Sequence, residues 1–561
     1  MFSPRPAECL AGDEALDRGA WVEARSAFES ALLVREFPEA LEGLGTAAWW
    51  LDLADLVFDS RERAYRLYLA QNNPAAAARI AVWLGWDYFA FRGESAVASG
   101  WLQRARRLLE NHPPCSERAW LEVREGVLCL LEEGDPVRAQ ALASEAIRIA
   151  REVGDINLEM LGRAVYGLSL VVSGAAAEGM RNLDEVNAAV IAGELTDRVA
   201  IGLSGCYMIA ACERVRDYDR AIQWCKRIKE SCSKWGLRPL FAVCRTKYAS
   251  VCLWRGTWFE AEEELRQASE ELAASRPAMV SEALVRMAEL RRRQGRLVEA
   301  TALFDQVQPQ GAALLGRAEV AFDRGEKVIA AEQAERYLRR LPEQNRIDRA
   351  SALELLVRAL SDLKEWDRAR AAVAELSSIA AMIGTDPLRA ALSFASGYLA
   401  LGEGKPDAAR RSFEDAVDLF LRSRAPFELG RARTELARAL GELGQIHAAM
   451  EEVRQAIDLL TELKADLEAT RARSVLESLG ELQTAGEDRA SSPEGKKNGL
   501  TNREIEVLRL VAEGLNNQSI AERLFVSDHT IHRHLANILN KLDVSTRAAA
   551  VAQAARRGLL S

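Results

Sequence analysis

Three of the chain's five histidines, His529, His532 and His534, fall near its C-terminal end, interleaved with Thr530, Arg533, Asn537 and Asn540. These residue types can read nucleic acid. Arginine pairs with the acceptor edge of guanine, asparagine with adenine, and a small residue such as Ala536 can pack on a thymine methyl. The spacing supports that use. Ile531, Leu535, Ile538 and Leu542 recur at +4, +3 and +4, which makes one apolar stripe on a helix. At about 100° per residue the opposite face carries His529, Arg533, Ala536 and Asn540, flanked by Thr530, His532 and Asn537. A small residue among polar ones lets a backbone approach base edges closely.

The elements that must hold this helix are also legible. Thr501 with Glu504 three residues later is a capping box, and it opens a helix whose inner stripe is Ile505, Leu508 and Val511, with Leu510 alongside. Gly514 ends it. Asn517 is expected to cap a short second helix with Ile520, Ala521 and Leu524 facing inward. Phe525 and Val526 make the turn, and Ser527 caps the third helix. Ser545 is expected to start a fourth, Ala-rich helix that ends at Gly558. A short helix, a tight turn and a longer helix form the helix-turn-helix layout, whose later helix enters the major groove. Charge agrees: residues 496–561 hold ten Lys/Arg against six Asp/Glu, a balance of +4 on a chain of net charge −9, so the remainder carries −13. Attraction to phosphate is confined to the tail.

The phrases LT-x-RE-x-EVL at Leu500–Leu508, IA-x-x-L at Ile520–Leu524, S-x-x-T at Ser527–Thr530 and KL-x-V at Lys541–Val544 closely resemble the LuxR-type DNA-binding domain. The resemblance implies a four-helix domain, binding to inverted half-sites as a homodimer, and dimerisation partly through the fourth helix, where Ala548, Val551, Ala552 and Ala555 are the expected contacts. It places His532, Arg533 and Ala536 at the DNA surface, and His534 matches a position that is usually histidine. With Asn517, Ser527, Lys541 and Arg547 these complete the expected DNA-binding set, around a helix-turn-helix core of about 517–536. One departure is His532, where the family usually has lysine. A largely neutral imidazole contributes less fixed charge to phosphate, and three histidines on one helix allow binding that strengthens below about pH 6.5.

The acidic body is repetitive. A turn residue is followed at +5 by a small residue, then by a larger apolar one at +4 and a small or apolar one at +3, as in Gly19…Ala24…Phe28…Ala31 and Gly404…Ala409…Phe413…Ala416. Copies begin at 19, 52, 93, 134, 174, 216, 256, 295, 325, 364, 404 and 444, mostly about 40 residues apart. A unit of that length holds two helices and two loops, and each pair leaves an apolar face that only stacking covers. The expected fold is therefore all-α: an α-solenoid of about twelve helical hairpins over residues 1–481, a flexible linker at 482–499, and the four-helix domain at 500–561. The body resembles tetratricopeptide-like arrays, and more closely the helical array of large LuxR-type regulators. The ATPase of those regulators is missing, since no GxxxxGK[ST] occurs.

What could act in the body is a solenoid face, expected to bind a partner protein or a small inducer. Seven of the twelve tryptophans (Trp21, Trp49, Trp50, Trp83, Trp86, Trp101 and Trp120) lie in the first 120 residues. They read either as core or as a ligand pocket. Cys206, Cys212, Cys225, Cys232, Cys244 and Cys252 read either as small residues in tight seams or as a redox or metal sensor. Enzymatic activity is not expected: the body's histidines, His112 and His447, stand alone with no nucleophile motif, and no cofactor is implied. The absence of a signal-like start or of a long apolar run points to the cytoplasm. The expected function is a transcriptional regulator, an activator by resemblance, recruiting RNA polymerase. The alternative is a constitutively DNA-bound scaffold.

Overall fold

The computed structural model describes residues 7–490 apart from 236–237, 277–278 and 308–310, and residues 500–559 apart from 501, 525–527, 543, 545 and 558. Among them there are 29 α-helices and no strand. None of these helices is long and apolar enough to cross a membrane.

The repeated phrase marks the second helix of each hairpin. Helices α2 (Trp21–Val34), α4 (Ala54–Ala70), α6 (Ser95–Leu108) and α8 (Pro136–Val153) each start two residues after a phrase's turn residue, and the pattern continues to α24 (Ile446–Glu462). All twelve turn residues have φ between +57° and +104°. That left-handed conformation reverses the chain within two or three residues, which is why glycine holds most of these places. Asp52, Arg216 and Lys364 adopt it without being glycine.

The larger residue of the phrase fits where its neighbour has no side chain. Phe28 lies against Gly12 and Gly43, Phe304 against Gly316 and Phe413 against Gly397, and at each a Cβ would collide with the ring. All three rings are at most 1% exposed, worth roughly 1.5–3 kcal/mol each in burial. Still closer is α9 (Ile156–Ser173) on α10 (Ala176–Ala192): a Cβ on Gly167 would stand 2.9 Å from the Gly179 carbonyl oxygen.

The chain divides into two compact units: residues 1–363 with 371–388, and residues 364–370 with 389–561. Within the first, side chains join positions far apart in sequence. Arg198 donates to the Leu16 carbonyl at 2.9 Å, Arg276 to Asp52 at 2.9 Å, and Arg214 pairs with Asp348 at 3.1 Å. Cys206, Cys212, Cys225, Cys244 and Cys252 are buried there, with Cys206 Sγ 3.3 Å from Cys244 Sγ. The Cys232 side chain lies outside what the structure describes. No group of three or more metal-binding side chains occurs among the described residues. In the second unit, the buried pair Arg433–Glu452 (2.5 Å) joins α23 (Pro426–Glu442) to α24. Helix α25 runs from Asp466 to Ala490, and so carries helix into the stretch expected to be linker.

Candidate nucleic-acid interface

Four helices make the C-terminal domain: α26 (Asn502–Ala512), α27 (Asn517–Leu524), α28 (Asp528–Leu542) and α29 (Arg547–Arg556). Their apolar stripes close on one another. Val507, Leu508, Leu510 and Val511 meet Ile520, Ala521, Ala550 and Ala554 around the stripe of α28, where Ile531, Leu535, Ile538 and Leu542 are all buried. The stripe read from the sequence is therefore the core-facing side of α28.

On its other side, His532 and Ala536, one turn apart, are exposed, and Asn537 is half-buried. His529, Thr530, Arg533 and Asn540 lie on α28 as well, but their side chains, like Ser527, lie outside the described residues. His534 is half-buried.

Two expected helix starts shift by one residue. Asn516, not Asn517, caps α27, its Oδ1 accepting from the Ser519 N–H at 2.8 Å. Two asparagines stand side by side, and the one with its oxygen over the first free amides takes the cap. Thr546 caps α29, accepting from the Ala549 N–H at 3.2 Å. Ser545 and Gly558, expected to bound that helix, and Thr501 of the expected capping box lie outside the described residues.

The shift frees Asn517 for another role. Its Nδ2 is 3.1 Å from His532 Nε2, and its Oδ1 accepts from Arg547 Nη1 at 3.4 Å. Arg547 Nη2 also donates to the Leu515 carbonyl at 2.6 Å. A guanidinium can only donate, so the amide oxygen must face Arg547 and the amide nitrogen must face the imidazole. His532 Nε2 then stands as the acceptor. The start of α27, the outer face of α28 and the start of α29 are thus tied through three residues of the expected DNA-binding set.

Other motif residues hold the scaffold. Glu504 is buried on α26 and accepts from Lys541 Nζ at 2.7 Å, which pins the C-terminal half of α28 to α26. Arg503 donates to the Leu524 carbonyl at 3.0 Å, satisfying an end of α27 that has no partner within its own helix. The motif pairs RE and KL are therefore partly structural, a role that one-dimensional spacing did not separate from DNA contact. On α29, Ala548, Ala552 and Ala555 are exposed, while Val551 packs against the core.

Comparison with known proteins bears on this domain. Residues 498–554 match the model of the bacterial regulatory proteins, luxR family. Over 62 residues the chain is 48% identical to the transcriptional regulatory protein LiaR of Bacillus subtilis, covering 11% of this chain and 29% of that one. Over 51 residues it is 51% identical to the nitrate/nitrite response regulator protein homolog of Haemophilus influenzae, covering 9% and 24%. The chain thus spans less than a third of the length of either relative. Among solved structures, the APC/C hetero-tetramer Cut9-Hcn1 aligns over 85% of this chain and 96% of its own at 15% identity, with a TM-score of 0.46. The C-terminal end of this chain is a LuxR-family helix-turn-helix domain, carried on an α-helical repeat body.

Proposed function

We propose that this chain is a sequence-specific DNA-binding transcriptional regulator, an activator, whose helical-repeat body responds to a partner protein or small inducer and controls the tail. The observation that carries the DNA-binding part is α28: its apolar stripe is sealed in the domain core, while His532 and Ala536 stand exposed one turn apart on the other side. In this reading α28 lies in the major groove. His532, Ala536 and Asn537, with His529, Thr530, Arg533 and Asn540, face the bases, and Asn517, Ser527 and Arg547 set the helix against the backbone. Lys541 serves first as the partner of Glu504. Two copies bind an inverted repeat, in contact through Ala548, Val551, Ala552 and Ala555, and recruit RNA polymerase in the cytoplasm.

A gel shift of promoter fragments, with the full chain beside residues 490–561 at two salt concentrations, tests this. Control by the body requires the short fragment to bind more tightly than the full chain, and both to weaken steeply as salt rises. Equal binding would favour the scaffold reading, and no binding by either at low salt would refute the proposal.

A further inference from the structure

Inside the first unit, helices α5 (Pro74–Asp87), α7 (Ser116–Leu128) and α11 (Arg198–Val215) converge on Arg124. This guanidinium is 1% exposed, and none of its Nε, Nη1 and Nη2 has a hydrogen-bond partner among the described residues. It sits instead among three indoles, 4.1 Å from the Trp86 ring centroid and 5.1 Å from those of Trp83 and Trp120. Ring faces attract a cation but take none of its donors. Burial lowers its pKa to about 10, so it stays charged at neutral pH.

The surrounding groups are committed differently. Arg61 pairs with the fully buried Asp87, and Arg276 pairs with Asp52. Asp197 caps α11, accepting from the Ala200 N–H at 2.7 Å. Asp87 and Asp197 act on Arg124 through their charge, but among the described residues neither takes a hydrogen bond from its guanidinium. Near it the Tyr207 hydroxyl and Asp87 Oδ1 are also buried and unpartnered among the described residues. Buried polar groups are almost always satisfied, so several in one place point to a ligand. Trp83 and Trp120 are half-buried, with ring centroids 5.7 Å apart. Both α5 and α7 run on into a π-helical turn, at Tyr88–Arg92 and Cys129–Glu133, an irregularity common beside functional sites.

We infer that this cluster is a binding site for a small monocarboxylic acid, its carboxylate paired with Arg124 and its planar or apolar body against Trp83 and Trp120. The planar guanidinium fork matches a carboxylate. A single guanidinium with Asp87 close by disfavours a dianionic phosphate. The Tyr207 hydroxyl supplies a further donor. The inference rests on the proposed sensing role only for its consequence at the DNA, and names the class of inducer.

The test is thermal melting and tryptophan fluorescence of the full chain titrated with benzoate and acetate, against benzamide and chloride at equal ionic strength. Benzoate is expected to raise the melting midpoint and quench fluorescence saturably, with benzamide and chloride inert. Arg124→Met should melt no lower than the parent without carboxylate and bind benzoate at least tenfold more weakly. Tyr207→Phe, which keeps the cation and the rings, should weaken benzoate several-fold. A parent that responds to neither carboxylate, an Arg124→Met response equal to the parent's, or an Arg124→Met chain that fails to fold would overturn the inference, the last by making Arg124 a packing element. DNA affinity measured with and without benzoate separates the two readings: binding with no effect on DNA keeps the site and removes the sensing role.

Discussion

Replacing Lys541 by methionine separates two roles that its position in the KL-x-V motif confounds. The Glu504 side chain is 4% exposed and that of Lys541 41%, with 2.7 Å between Oε2 and Nζ. An exposed pair contributes about 0.2–1 kcal/mol, whereas stranding a fully buried charge costs about 3–5 kcal/mol. Here the carboxylate is buried and the ammonium half in water, so the loss should be about 1–3 kcal/mol. For a domain of this size each kcal/mol moves the melting midpoint by roughly 4–8 °C. Lys541→Met in residues 490–561, which enclose their own core, should therefore melt roughly 5–20 °C below the parent by circular dichroism. Glu504→Gln combined with Lys541→Met should recover about 1 kcal/mol relative to the sum of the single changes, because no charge is then left buried. At a temperature where both forms are folded, DNA affinity should stay within about threefold of the parent. The reasoning fails if Lys541→Met melts like the parent while DNA affinity falls and the salt dependence drops by about one phosphate contact.

Other consequences follow from the same geometry. Gly179→Ala would put a Cβ 2.9 Å from the Val171 backbone nitrogen, where no side chain can yield, and should destabilise the body by about 1–3 kcal/mol. The control is Gly100→Ala, where nothing lies within 4 Å; it should gain up to about 1 kcal/mol of helix propensity, and equal midpoints in urea would contradict the packing. Burial raises the pKa of Glu289, but Arg292 and Arg293 outweigh it and hold the carboxyl at about 2. Its stabilisation is therefore full above the ordinary carboxylate pKa and is lost as pH falls toward 2. The midpoint gap between the parent and Glu289→Gln should narrow from pH 6 to pH 3, and a constant gap would refute the pairing. Because Cys206 and Cys244 are buried with sulfurs 3.3 Å apart, diamide should couple these two under mild unfolding before other pairs. A mass map in which other cysteines couple first would place these helices differently.

Much of this was legible because its causes are local. A chain that reverses after a helix needs a left-handed residue, and Gly19, Gly93 or Gly444 announces one. A neighbouring helix that comes close needs alanine, and Ala24 and Ala31 supply it around Phe28. The α28 stripe followed in the same way from one helical period. The partners lost to the sequence are distant ones. Arg276 finds Asp52 across 224 residues, and nothing in the spacing of Trp83, Trp86 and Trp120 says that an arginine lies among them. Adjacent Asn516 and Asn517 left the helix cap ambiguous by one residue, and resolving it revealed the contacts of Asn517 with His532 and Arg547. The contact of Glu504 with Lys541 was hidden for the same reason, since the two lie 37 residues apart.

The central claim is that the exposed face of α28 touches DNA, and Ala536→Glu tests it most directly. Ala536 is exposed, so a glutamate there should leave the melting of the full chain unchanged. It would set bulk and negative charge where base edges are to approach. Fluorescence anisotropy with duplexes selected by the parent protein should show affinity falling at least a hundredfold. An Ala536→Glu chain that binds the same duplexes as tightly as the parent would contradict the account.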